Sequence, residues 1–298
     1  MALTYGTTSS MTRRNEGMRN MKALIVDLAK CNGCRTCQLA CKDEHCGNDW
    51  SPYALPQPMS GQFWCKVEER ERGRVPVVRV AYTPVFCGHC DECPLLTAAP
   101  DCVRRDENGF VIIDPKAAVR RDDLASLCPY GRVFYNEELN VAQKCTGCAH
   151  LLDGGWAEPR CVDACATGAL QFGDEADFAD EIARAQRGRA DIEATTDFGS
   201  HVYYLNVPQR WIAGTVADRT INEVIIGADV ALLDETGTEI ARTQTDWAGD
   251  FRFYECKPNR YQIHIQASGY KPVDLLADCG DKDVVFDDIF VKETENEE

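Results

Sequence analysis

The residues equipped for chemistry are cysteines, and they come in groups. The stretch "CNGCRTCQLAC" places thiols at Cys31, Cys34, Cys37 and Cys41. Its C-x2-C-x2-C-x3-C spacing lets three thiolates wrap one face of an iron–sulfur cube, while the fourth is carried away to a different centre. Four cysteines in eleven residues therefore serve two centres, which one tetrahedral zinc does not require. A second group, "FCGHCDEC", supplies Cys87, Cys90 and Cys93, with Cys102 following nine residues on in "APDC". Cys128 stands alone in "SLCPYG". The last group, "KCTGCAHLLDGGWAEPRCVDAC", supplies Cys145, Cys148, Cys161 and Cys165 at C-x2-C-x12-C-x3-C spacing.

Paired cluster-binding runs each give three ligands to their own cluster and the fourth to their partner's. Pairing the first group with the last puts Cys31, Cys34, Cys37 and Cys165 on one cluster. Cys145, Cys148, Cys161 and Cys41 then hold a second. Cys87, Cys90 and one more thiol of their group remain, and Cys128 is their fourth. Cys93 completes a compact C-x2-C-x2-C loop and is the preferred third ligand, with the more distant Cys102 as the alternative. Where companions of Cys128 would stand, the chain reads "VIIDPKAAVRRDDLASL", without a thiol. Residues 87–128 thus read as a paired module that keeps one cluster and has lost the other. Twelve ligands make three 4Fe–4S clusters.

The other cysteines, Cys46, Cys65, Cys256 and Cys279, have no spacing partners and read as buried inert thiols. Cys256 and Cys279 are close enough in the chain to pair, but a disulfide beside reduced clusters is not expected. His89 and His150 lie in or beside cluster loops, where they serve either as hydrogen-bond donors toward sulfur or as loop packing. His45, His201 and His264 carry no signal. Trp64 and Trp156 read as packing groups.

These residues need elements to hold them. "MKALIVDLAK" reads as a short buried strand leading into the first cysteine group. "EADFADEIARAQRG" places Phe178, Ile182 and Ala185 on one face of a weakly amphipathic helix, which covers the cluster module or faces a partner. From residue 199 the pattern changes to seven or eight short strands separated by Gly, Asp, Asn and Pro turns, such as "DETG" and "DWAGD". The expected class is α+β: tandem ferredoxin-like 4Fe–4S modules over residues 21–198, then an all-β sandwich of transthyretin or immunoglobulin type over 199–292. Residues 1–20 read as a disordered tail and 293–298 as an acidic one. Asp246 and Asp250 read as turn residues.

The whole chain narrows the function class. It has 298 residues, 17 of them cysteine, and a formal net charge of −16. That charge argues against nucleic acid, whose phosphates need basic patches. A secreted disulfide scaffold is opposed by the length, the clustering of the cysteines and the lack of a signal peptide. No apolar run reaches the roughly 18–20 residues of a membrane span. Arg13–Arg14 is not followed by the apolar stretch of an export signal.

The cysteine groups that begin at Cys31, Cys87 and Cys145, in this order, resemble the iron–sulfur electron-transfer subunits of the dimethyl-sulfoxide-reductase family of molybdenum enzymes. That family usually carries four cysteine groups and four clusters; here most of the third group is missing. With "SLCPYG" and "YNEELNVAQKCTGCAHLLD", the chain is most similar to small subunits serving transhydroxylation or reductive dehydroxylation of phenols. The resemblance runs from Met21 onward and is most specific over 126–153. It implies a non-catalytic subunit beside a large partner that carries bis-molybdopterin guanine dinucleotide molybdenum and binds a catechol- or pyrogallol-type substrate. An external electron donor is also implied. Two other readings stand: a structural or assembly subunit whose clusters staple the fold, and a zinc-binding interaction protein. The expected location is the cytoplasm, or export as a folded complex using a twin-Arg signal on the partner.

Overall fold

The computed structural model describes residues 21–75, 77–187, 198–280 and 282–294. The expected tail at 1–20 and the last four residues of the acidic tail lie outside the described residues. The chain forms two compact units. One comprises residues 1–68 and 83–206, the other 69–82 and 207–298.

The first unit is organised by the strand Lys22–Asp27, whose sequence KALIVD is apolar on both faces. Such a strand belongs in the middle of a sheet covered on both sides. It pairs antiparallel with Leu170–Asp174 and parallel with Val202–Leu205, which in turn pairs with Gln186–Arg187. Ala23, Ile25, Tyr203 and Leu205 form a core beneath Phe178, Ile182 and Ala185. The expected amphipathic segment therefore covers this sheet. It does so as a 3-10 turn, Glu175–Phe178, followed by the short helix Ala179–Arg184.

The boundary expected at 198/199 falls later. Val202–Leu205 reads as a sandwich strand by composition, yet it pairs with Lys22–Asp27 in the first unit. Residues 69–82 also depart from the expected division. The strands Lys66–Arg74 and Val77–Val85 form a hairpin whose outer part belongs to the second unit, where Val77 packs with Trp211, Ala213 and Val285.

Two small antiparallel hairpins complete the first unit: Val103–Arg105 with Val111–Ile113, and Val133–Asn136 with Val141–Lys144. An apolar core including Leu95, Val103, Val111, Leu124, Val133 and Val141 lies between them. The thiol-free stretch that follows the second cysteine group supplies part of it, and Cys102 is buried in it.

The second unit is two sheets facing across one core. Arg210–Asp218 is central to the first, pairing with Asp250–Cys256, Glu223–Val224, Val284–Val285 and Ile289–Val291. The other runs Glu239–Gln244, Asp229–Leu233, Arg260–Gln266, Val273–Asp278. Ile212, Val216 and Phe251 from one sheet meet Val230, Ile263 and Ile265 from the other. The inward residues alternate with exposed ones along Arg260–Gln266, as a half-buried strand requires. Asp246 takes backbone N–H bonds from Ala248 and Asp250, and Asp234 from Thr236 and Thr238; both are turn residues.

Candidate iron–sulfur centres

The first group opens in a loop and ends on a helix. Cys31 and Cys34 precede the helix Thr36–His45, which carries Cys37 in its first turn and Cys41 a turn later. Cys31 has Cys37, Cys165 and Cys34 as thiol neighbours, and burial first, then their charges, push its own thiol up. Cys165, from the far end of the last group, is thereby brought to the first. Cys34 is exposed, while Cys31 and Cys165 are half-buried. Thr36 Oγ1 lies 3.3 Å from Cys34 Sγ as a donor.

Cys41 has left that group. It shares a buried cavity with Cys145, Cys148 and Cys161, and its largest neighbouring charges are those of Cys145 and Cys148, with a smaller one from Cys37. The short helix Arg160–Asp163 carries Cys161 into the same cavity. Desolvation pushes the Cys145 thiol up to about 11 and Cys148 to about 12, and raises Cys41 and Cys161 well above the ordinary value.

Cys87, Cys90, Cys93 and Cys128 line a second cavity. Burial first, then the charges of Cys87, Cys93 and Cys128, push Cys90 up to about 12. Cys102 is elsewhere. It is buried in the apolar core between the hairpins, with Arg121 Nη1 3.7 Å from its sulfur. The geometry therefore places Cys93, and not Cys102, with the other three.

Three similar loops present these thiols. Each has the form C-x-x-C, and the residue before the second cysteine has positive φ in each: Gly33 (73°), His89 (46°) and Gly147 (66°). Glycine adopts that conformation freely. At Gly147 a Cβ would also stand 2.6 Å from the Phe110 ring.

The donor set suits iron–sulfur clusters. Three groups of four thiols are gathered. Those of the central cavity are held so far from water that, left alone, they would stay protonated; cationic iron removes that penalty by binding the thiolates. Among the described residues no three His, Cys, Asp or Glu side chains close on a single-ion site. The thiols instead border cavities, and buried polar atoms without partners stand at the central one: His45 Nδ1 and His89 Nε2.

Comparison with known proteins follows the same lines. A family described as "4Fe-4S dicluster domain" matches residues 78–175, and "Carboxypeptidase regulatory-like domain" matches 211–285. The pyrogallol hydroxytransferase small subunit of Pelobacter acidigallici is 34% identical over 252 residues, covering 83% of this chain and 90% of that one. A tetrathionate reductase subunit of Salmonella typhimurium is 30% identical over 208 residues, 67% of this chain and 78% of its own. A sulfite dehydrogenase subunit of Allochromatium vinosum is 29% identical over 199 residues, 63% of this chain and 83% of its own. The chain belongs to the iron–sulfur electron-transfer subunits of the dimethyl-sulfoxide-reductase family.

Several residues of this iron–sulfur subunit contribute beyond what spacing revealed. His45 carried no signal, yet its Nε2 lies 3.8 Å from Cys148 Sγ at the central cavity. Burial, with smaller contributions from His150 and Lys42, lowers its imidazole to about 3, so it is neutral. His201 also borders that cavity, with Nδ1 2.6 Å from Glu175 and Nε2 3.0 Å from Asp91. Cys65, expected to be inert, is on the cavity wall and hydrogen-bonds Cys37; that bond lowers the Cys37 thiol, while burial raises Cys65. His150 stacks on Trp50 and meets Glu44 at 3.1 Å. Trp64 packs against His45, and Trp156 is half-exposed near Arg160. Cys256 and Cys279 are free thiols hydrogen-bonded to each other in the second unit. Among the described residues, no helix is long and apolar enough to cross a membrane.

Proposed function

We propose that this electron-transfer subunit holds three 4Fe–4S clusters and exchanges electrons with molybdenum in a large partner subunit. The ligand sets are Cys31, Cys34, Cys37 and Cys165; Cys41, Cys145, Cys148 and Cys161; and Cys87, Cys90, Cys93 and Cys128. When bound, each cluster carries one electron at a time. The observation that carries the reading is the contiguity of the three groups. Cys37 lies close enough to Cys161 to raise its thiol, and Cys87 acts likewise on Cys145. The central set, buried at Cys41, Cys148 and Cys161 and half-buried at Cys145, therefore stands between two sets that reach toward the surface through Cys34 and Cys31 on one side and Cys93 and Cys128 on the other. The chain's own work is to fix these thiols in sequence, keep water from the middle set and offer hydrogen bonds toward sulfur.

The likeness to the pyrogallol hydroxytransferase small subunit supports a finer reading. The partner would carry bis-molybdopterin guanine dinucleotide molybdenum and act on a catechol- or pyrogallol-type phenol, by transhydroxylation or reductive dehydroxylation. Cluster assembly supports the cytoplasm as the location, and fractionation of cells tests it.

Metal analysis of the anaerobically purified complex tests the cluster count. About twelve irons and twelve sulfides per copy of this chain are expected from three cubes. About eight would remove the set at Cys87, Cys90, Cys93 and Cys128, and zinc in place of iron would overturn the whole reading. Freeze-quench spectra during turnover test electron flow: clusters that never change oxidation state would reduce the chain to a structural subunit. A complex inert toward every catechol and pyrogallol offered would remove the phenol assignment.

A further inference from the structure

In the first C-x-x-C of each of the three thiol groups, two use glycine before the second cysteine and the third uses His89. All three positions have positive φ, with His89 at 46°. A side chain in that region is uncommon, although Asn, Asp and His adopt it more readily than most, and such a conformation persists where surrounding contacts fix it. The contacts at His89 are specific. Nδ1 accepts the backbone N–H of Val111 at 3.0 Å, and Lys144 Nζ lies 3.5 Å from the same nitrogen. An ammonium can only donate, and so can a backbone N–H. Nδ1 is therefore the bare nitrogen, and Nε2 carries the proton.

Lys144 is itself fixed, donating to the carbonyl oxygens of Val111 at 2.5 Å and Cys145 at 2.8 Å. The Nε2–H has no partner among the described residues, and the residue is only 7% exposed. A buried donor left unmade is costly, so the protein must supply an acceptor. The space it borders is the cavity of Cys41, Cys145, Cys148 and Cys161, whose wall also includes Cys87. His89 thus belongs by backbone to the loop of one thiol set and by side chain to the cavity of the next.

We propose that His89 is a positioning residue that donates a hydrogen bond from Nε2 to the cluster held by Cys41, Cys145, Cys148 and Cys161, raising the reduction potential of that centre alone. The inference rests on the reading that those four thiols hold a cluster. Reduction adds negative charge to the cluster sulfurs, and a donor aimed at them favours the reduced form. The acceptor is inorganic sulfide or cysteinyl sulfur of that centre. Lys144 fixes the ring and supplies no proton to it.

The test uses the complete complex, purified anaerobically, and redox titration followed by electron paramagnetic resonance. The signal of the central cluster is identified as the one lost on Cys161→Ser. His89→Asn tolerates positive φ and keeps an acceptor where Nδ1 stood, but it has no donor at the Nε2 position. His89→Gln reaches that position with an amide N–H. The expected result is a negative shift in His89→Asn of about tenfold in the reduction equilibrium, or about 59 mV for one electron, with iron content unchanged. His89→Gln recovers most of it. An unmoved midpoint in fully loaded His89→Asn overturns the proposal, as does a shift confined to the cluster of Cys87, Cys90, Cys93 and Cys128. Should both variants lose iron, pulsed resonance on wild-type complex labelled with 15N-histidine decides. A histidine nitrogen coupled to the central cluster supports the bond, and no coupling overturns it. If Cys161→Ser removes no signal, the ligand assignment fails instead of the hydrogen bond.

Discussion

Arg105 donates from Nη2 to the carbonyl oxygen of Cys90 at 2.6 Å, and the same guanidinium closes on the carbonyls of His89, Asp91 and Gly109. One planar fork thus fixes three consecutive carbonyls of a cluster loop. A lysine cannot do this, because its ammonium is a point charge without the fork's geometry. Arg105→Lys should therefore loosen the loop of Cys87, Cys90 and Cys93. The expected outcome is a faster loss of about four irons per chain on mild chelation, the content of one cube, with the other two cubes retained. Iron release at the wild-type rate would show that the loop holds itself.

Cys93 and Cys102 are separated by what surrounds them. Both touch the apolar core between the hairpins, but Cys93 borders the cavity of Cys87, Cys90 and Cys128, whereas Cys102 is buried within the core beside Arg121. Cys93→Ala should cost about four irons per chain, the content of one cube. Cys102→Ala should keep every iron and lower stability by about 1 kcal/mol, as for other small losses of buried volume. Iron analysis of the two variants side by side checks both; the reverse pattern would exchange their roles.

The expected thiol sets rest on ligand spacing, which is local. Cys31, Cys34 and Cys37 lie within seven residues, and the helix Thr36–His45 carries Cys41 away from Cys31 and Cys34. What escaped the sequence is contact across distance. His45 reaches Cys148 over 103 positions, and Gln143 reaches Leu55 over 88. Nothing near either partner in the chain announces the other. Val202–Leu205 shows the same limit for the fold. Its residues favour a strand in any sheet, and only the parallel partner at Lys22–Asp27 decides which. Spacing favoured Cys93 over Cys102 without deciding between them, because the choice depends on which thiol borders the cavity of Cys87, Cys90 and Cys128 and which is buried in the apolar core.

The neutral His45 makes stability depend on pH in one direction. In the folded protein burial lowers its imidazole from 6.5 to about 3. The unfolded chain takes up that proton below about pH 6.5, while the folded one refuses it until about pH 3. Stability is thus fully present above pH 6.5 and lost as pH falls toward 3. His89, lowered by burial as well, adds in the same sense. The denaturant midpoint of the anaerobic complex should fall between about pH 7.5 and about pH 5.5, and the fall should be smaller in His45→Gln. An equal fall in both would place the acid sensitivity in other groups.

The second unit has its own test in Arg72 and Asp283. Arg72 Nη2 meets Asp283 Oδ1 at 2.7 Å, its Nε meets Oδ2 at 3.0 Å, and both side chains are largely buried. Arg72 also donates to the carbonyls of Pro208 and Gln209 and lies over the Trp211 ring at 4.6 Å. Asp283 takes the Trp211 backbone N–H besides. Removing one partner of such a pair strands the other charge out of water, which costs about 3–5 kcal/mol. Asp283→Ala should therefore lower the melting transition of this unit strongly. The double change Arg72→Met with Asp283→Ala should recover part of the loss, since no charge is then left unpaired. The iron content should be unchanged in both variants, because none of the thiol sets includes a residue of this unit. Calorimetry of the three proteins decides. If the double variant is no more stable than the single one, the pair acts through its bonds to Pro208, Gln209 and Trp211 and not through the stranded charge.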